Sequence, residues 1–162
     1  MKNFKSFLGV YDIDDIDKIP FPKNKPSGVV LLTDILDTRK GMKRKKYNHW
    51  VSLYIDPVNE KEINYYDSFA NPPPDNMMKR IKKQLIDIPY YLKFKHNMIK
   101  NQSVNSRNCG FFAMKFLIKR FKNEPFKLAS GFSDVQQSEN NIKAFKRELS
   151  KYTDEYKKYK FV

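Results

Sequence analysis

Thiols are nearly absent from this sequence: Cys109 is the sole cysteine among 162 residues. That excludes an intrachain disulfide and makes a reducing compartment the default. There are only two histidines, His49 and His96, so a closed Cys/His zinc site has too few ligands. No apolar run approaches the ~18 residues of a membrane span. The start, MKNFKSFLGVYDIDDID, turns acidic too early for a secretory signal, so neither a membrane partner nor a leader is expected. No internal repeat recurs. The length suits a single domain over residues 1–162.

Positive charge and aromatic rings are plentiful. The net charge is +14, and 15% of residues are aromatic, too many for a disordered chain. Such an excess of cations favours polyanions, nucleic acid first. The densest cluster, RKGMKRKK, holds Arg39, Lys40, Lys43, Arg44, Lys45 and Lys46. KRIKK (79–83), KFKHNMIK (93–100) and the last helix are further clusters. No RRM, KH or helix-turn-helix signature accompanies them, so nonspecific contact with the DNA backbone is expected.

Periodicity and turn chemistry give a coarse order of elements. FLGVYD, the acidic run after it and IPFPKNKPSG read as a connecting segment. GVVLLTDIL (28–36) reads as a buried strand, and RKGMKRKKYN as a loop. HWVSLYI (49–55) and EINYYDSF (62–69) read as a hairpin around DPVNEK. A helix opens at Pro74 or Asp75 and runs to about Leu85. PYYLKF (89–94) and MIKNQSV (98–104) read as short strands. A buried helix spans Gly110 to Phe121, FKLASGFSDVQQ is loop-like, and an amphipathic helix runs from about Glu139 to Tyr159. Uneven strands without a βαβα repeat argue for an α+β fold, with a mostly antiparallel sheet flanked by helices.

In NQSVNSRNCGFFAMKFL (101–117) a polar run turns abruptly into an apolar helical one, with Cys109 at the border. At a helix N-terminus, unpaired N–H groups and the positive dipole end favour thiolate over thiol. A buried free cysteine is the bland alternative. A thiolate nucleophile needs a base. His96 lies amid cations without a nearby carboxylate. His49 begins a strand whose hairpin partner ends in Asp67. A hairpin symmetric about Val58 sets the two directly opposite each other, where a carboxylate orients an imidazole. A one-residue slip would put them on opposite faces. Gln102 offers an amide N–H as a second oxyanion donor beside the Cys109 backbone, and Gly110 leaves room for substrate.

Several segments resemble the adenovirus maturation protease (adenain) family. QSVNSRNCGFF (102–112) is similar to its Gln-Ser-x-Asn-Ser-x-x-Cys-Gly-x-Phe segment. HWVSLYI resembles its His-Trp strand, YYDSF holds Asp67 where that family carries Glu, and FLGVYD resembles its Phe-Leu-Gly-x-Tyr-Asp. The wider group includes the SUMO-specific proteases and enzymes of virophages and related small DNA viruses. The resemblance implies a papain-like cysteine peptidase with circularly permuted order and its catalytic Cys at a helix N-terminus. It assigns nucleophile to Cys109, base to His49, orienting acid to Asp67, oxyanion donor to Gln102 and groove shaping to Trp50. It implies cleavage of viral capsid or core precursors at Gly-containing sites, by a monomer acting in virions or inside the host cell, with DNA as a stimulating partner. No cofactor is implied for the chemistry. Adenain takes an activator peptide through a second cysteine, which this chain lacks, so an activating peptide or DNA would bind non-covalently. The alternatives are a deubiquitinating or deSUMOylating isopeptidase, and a basic nucleic-acid-binding protein without catalysis.

Overall fold

The computed structural model describes residues 4–36, 46–131 and 135–158. Five strands form one sheet in chain order: β1 (Phe7–Asp12), β2 (Ser27–Leu36), β3 (Lys46–Asp56), β4 (Glu62–Tyr66) and β5 (Lys93–His96). The two inner pairings, β2–β3 and β3–β4, are antiparallel, whereas both edge pairings are parallel. The sheet is therefore mixed rather than mostly antiparallel. Parallel neighbours need a crossover, and the segments after β1 and β4 supply one each. The first runs through a 3-10 turn (Ile13–Lys18), and the second through α1 (Asp75–Gln84). After β5 come three helices among the described residues: α2 (Cys109–Phe121), α3 (Phe126–Ala129) and α4 (Val135–Lys158).

Both faces of the sheet are covered, which explains why β2 and β3 read as continuous apolar runs instead of alternating ones. Val29, Leu31, Val51, Leu53, Ile55, Ile63 and Tyr65 pack one way, against Ile16 and against Met77, Ile81 and Leu85 of the α1 segment. Val30, Tyr54 and Tyr66 pack the other way, against Phe112, Ala113, Phe116 and Leu117 of α2 and Ile142 of α4. The Tyr66 and Phe116 rings stack at 4.7 Å. Gly28 lets β2 approach α2 closely, since a Cβ there would fall 2.8 Å from Leu117 and 2.9 Å from Phe121.

Several local expectations are corrected. FLGVYD is not a connector but edge strand β1, paired with β2 from Phe7 to Asp12. β3 begins at Lys46, so the end of RKGMKRKKYN is strand. Only Lys93 and Phe94 of PYYLKF are strand, and MIKNQSV is not a strand. In that second segment the N–H groups of Asn101 and Gln102 both bond the Ser68 carbonyl (2.8 and 3.0 Å) instead of a ladder. FKLASGFSDVQQ contains α3 and the start of α4.

The β3–β4 hairpin turns about Asn59, not Val58. The Asp56 carboxylate accepts the N–H groups of Val58, Asn59 and Glu60 (2.9–3.1 Å), and Lys61 takes a left-handed φ of 55°. The last pair is Ser52 with Tyr66. Extending this register sets His49 across from Phe69, not Asp67. The error is two residues, so parity survives and His49 and Asp67 remain on one side of the sheet.

One buried charge ties α2 to this hairpin. Arg120 is fully buried near the end of α2. Its guanidinium donates to Asn64 Oδ1 (3.0 Å), the Glu124 carbonyl (2.6 Å) and both Glu60 carboxylate oxygens (2.7 and 3.3 Å), and lies over the Tyr54 ring. A guanidinium reaches these partners through its fixed fork, and an ammonium does not. Replacing Arg120 with Ala is expected to cost about 3–5 kcal/mol, because acceptors gathered around the cation are left unpaired. Arg120→Lys should recover only part of this, as read from urea midpoints.

Candidate active site

α2 begins at Cys109, with Asn108 at its N-cap making no side-chain cap bond and no acidic residue in the first turn. No acid of the helix's own first turn therefore offsets the positive end at which the sulfur lies. Burial opposes ionisation of Cys109. The hydrogen bond from His49 and the backbone N–H groups of Trp50 and Gly110 outweigh it, and the thiol lies below its usual range. Backbone donors from β3 and from α2 thus converge on one sulfur.

His49 projects from β3 beyond the last β3–β4 pair. Its Nε2 lies 2.7 Å from Asp67 Oδ1, and both side chains are 3% exposed. Nδ1 is the nitrogen left to face the sulfur. Burial alone would lower the imidazole, but the bonds to Asp67 and Cys109 prevail and raise it to about 9. The Phe69 ring stacks on the imidazole at 5.0 Å. These shifts favour a thiolate–imidazolium pair near neutral pH.

Asp67 is held by its neighbours. Its Oδ1 accepts the Phe69 N–H (2.7 Å). Its backbone is clamped by buried Asn97, which accepts the Asp67 N–H at Oδ1 (3.0 Å) and donates Nδ2–H to the Asp67 carbonyl (2.6 Å). Asn97 follows β5, so the edge strand fixes the carboxylate. Gln102 is buried in the loop before α2. Its Nε2 donates to the Ser106 carbonyl (2.7 Å), and Ser106 Oγ accepts the Asn108 N–H (3.2 Å) one residue before Cys109. Across the same loop, Glu139 of α4 accepts the Ser103 N–H (3.0 Å) and Asn108 Nδ2–H (2.9 Å).

The structure therefore brings His49, Asp67 and Cys109 together and links Gln102 to the N-cap of α2. The Trp50 ring lies beside Gly110, where an added Cβ would sit 3.5 Å from it in ordinary contact. His96 ends β5 with Nδ1 against the Asn97 carbonyl (3.2 Å). Arg39, Lys40, Lys43, Arg44 and Lys45 lie outside the described residues, and Lys46 enters only as the first backbone position of β3. Among the described residues, no group of three or more His, Cys, Asp or Glu side chains could hold a metal ion. Sequence reasoning missed Ser68, Asn97 and Glu139. Each acts on a group at least 30 positions away, and no local pattern marks such a pairing.

Solved structures similar to this chain include two of distant sequence. One is the C-terminal Ulp1 protease domain in complex with Smt3, the yeast ortholog of SUMO. It is 20% identical with a TM-score of 0.42, and the match covers 67% of this chain and 46% of that one. The other is the Legionella pneumophila effector protein RavZ, 15% identical with a TM-score of 0.42, covering 80% of this chain and 40% of that one. The chain thus spans under half the length of either structure. No curated protein matches the sequence. Residues 42–159 match the model of the Ulp1 protease family, C-terminal catalytic domain, and the chain accordingly belongs to this family of cysteine proteases.

Proposed function

We propose that this protein is a cysteine endopeptidase that cuts viral precursor proteins at Gly-containing sites, with Cys109 as nucleophile, His49 as acid and base, Asp67 as orienting acid and Gln102 as oxyanion donor. The observation that carries the reading is the buried 2.7 Å bond from His49 Nε2 to Asp67, with Cys109 hydrogen-bonded to the same imidazole. Along the chain the order is His, Asp, Gln, Cys, a permutation of the papain arrangement.

The chemistry uses the chain's own groups. The Cys109 sulfur attacks the scissile carbonyl carbon, and the carbonyl oxygen becomes an oxyanion. The Cys109 backbone N–H, unpaired at the start of α2, and a Gln102 amide N–H supply donors for it. The C–N bond breaks as His49 gives its proton to the leaving amine, and a thioester remains. Water then attacks the thioester while His49 takes its proton. The acid product leaves and the thiolate returns. Asp67 stabilises the imidazolium and fixes the ring.

Support for viral precursors as substrates comes from the adenain-like segments FLGVYD, HWVSLYI, YYDSF and QSVNSRNCGFF, and with it a virion or infected-cell setting. The +14 charge supports stimulation by DNA through nonspecific phosphate contact. A peptide activator joined by a disulfide would consume the nucleophile, so activation is non-covalent. The Gly-Gly tails of ubiquitin-like proteins present the same bond chemistry. A substrate panel therefore pairs capsid precursors with such conjugates, with and without DNA, and cut sites are mapped by mass spectrometry. Cleavage confined to the conjugates would replace the viral reading with the isopeptidase one.

Cys109→Ala is expected to abolish cleavage while leaving DNA affinity unchanged. Retained turnover would end the peptidase reading. Cys109 should react with iodoacetamide at pH 7 faster than a free thiol. Asp67→Asn removes one of the two groups that raise His49, leaving Cys109, so the imidazolium weakens and the onset of alkylation moves to higher pH. In the wild type, kcat should fall as pH rises through about 9, where His49 loses the proton it gives to the leaving amine. DNA affinity should fall linearly on a log–log plot against salt, as counterion release requires.

A further inference from the structure

Gln102 is a carboxamide, and only its NH2 end can stabilise an oxyanion. An amide rotated by half a turn would present oxygen to developing negative charge and oppose the reaction. The groups around it decide which end faces where. The Ser106 carbonyl can only accept, so the Gln102 atom 2.7 Å from it must be the nitrogen. The opposite end meets the Ser68 hydroxyl, which donates to Gln102 Oε1 at 2.5 Å. Ser68 is 1% exposed, so water does not compete for this bond.

Ser68 holds the backbone as well as the amide. Its carbonyl accepts the N–H groups of Asn101 and Gln102 (2.8 and 3.0 Å), which docks the Gln102 loop onto the turn after β4. That turn carries Asp67 one residue earlier. We propose that Ser68 is a positioning residue for the proposed peptidase. Its hydroxyl anchors the Oε1 end of the Gln102 carboxamide, whose sense the Ser106 carbonyl sets, so that the second Nε2–H is held for the oxyanion, and its carbonyl registers the oxyanion loop against the acid. This rests on the reading of Gln102 as an oxyanion donor. Ser68 acts through Gln102 and touches neither substrate nor sulfur.

The test compares Ser68→Ala, Gln102→Ala and the double variant with wild type. The probe is a fluorogenic peptide amide ending in Gly-Gly, and alkylation of the Cys109 peptide is followed in parallel by mass spectrometry. Wild-type turnover that Cys109→Ala abolishes establishes the peptidase reading separately. Removing one oxyanion donor costs roughly 10²–10³ in kcat, and Ser68→Ala is expected to lose about tenfold or more, with KM and the pH profile of Cys109 alkylation unchanged. The double variant should be no slower than Gln102→Ala, because Ser68 has nothing left to orient. Losses that multiply, an unchanged kcat, or an alkylation profile that moves with Ser68→Ala would each overturn the proposal. Should Ser68→Ala melt below the assay temperature, Ser68→Cys keeps a side chain of similar shape with a weaker donor. Its kcat should fall at constant KM, and wild-type kcat in that variant would overturn the proposal equally.

Discussion

The buried hydrogen bond between His49 and Asp67 is the constraint around which the site is arranged. It is made at 2.7 Å between groups almost closed to water. In such surroundings a carboxylate polarises an imidazole far more strongly than in solvent. The polarised ring is what favours an ionised sulfur at Cys109, against a burial cost that opposes it. Without Asp67 only the contact with Cys109 would oppose the burial that favours the neutral imidazole. The clamp of Asn97 on the Asp67 backbone and the Phe69 ring stacked on His49 keep both partners from turning away.

Each partner reaches this meeting point from a different layer. β3 and the turn after β4 deliver His49 and Asp67 from the end of the sheet. α2 crosses one face and brings its N-terminus to the same place. Its far end is pinned by Arg120 to Glu60 and Asn64 of the hairpin, and its middle packs Phe116 against Tyr66. The helix is thus held at its far end and at its middle. Axial sliding of α2, which would carry Cys109 away from the imidazole, breaks the bonds of a buried guanidinium and a ring stack together.

The parts of this arrangement legible in the sequence are those set by local rules. The switch from NQSVNSRN to CGFFAMKFL marks the start of α2, because a polar run cannot continue a buried apolar helix. HWVSLYI and EINYY read as strands because both faces are covered and β-formers dominate. The turn register was missed by two residues, since the grip of Asp56 on three N–H groups and the left-handed Lys61 are invisible to a symmetry argument. The His49–Asp67 proximity survived that error only because side chains alternate with a period of two. MIKNQSV carries strand composition, yet its amides are claimed by a carbonyl some 30 residues upstream, and composition does not encode such a partner.

The bridge from Glu139 ties α4 to the loop ahead of α2. A single carboxylate grips both Ser103 and Asn108, while Ile142, one turn further on, is sunk among the α2 side chains. The shape of the segment before α2 therefore depends on a helix that follows it in the chain. Trimming α4 back toward its middle leaves the grip in place. A cut ahead of Glu139 would leave the strands and Cys109 present but the span between Gln102 and Cys109 without its tether.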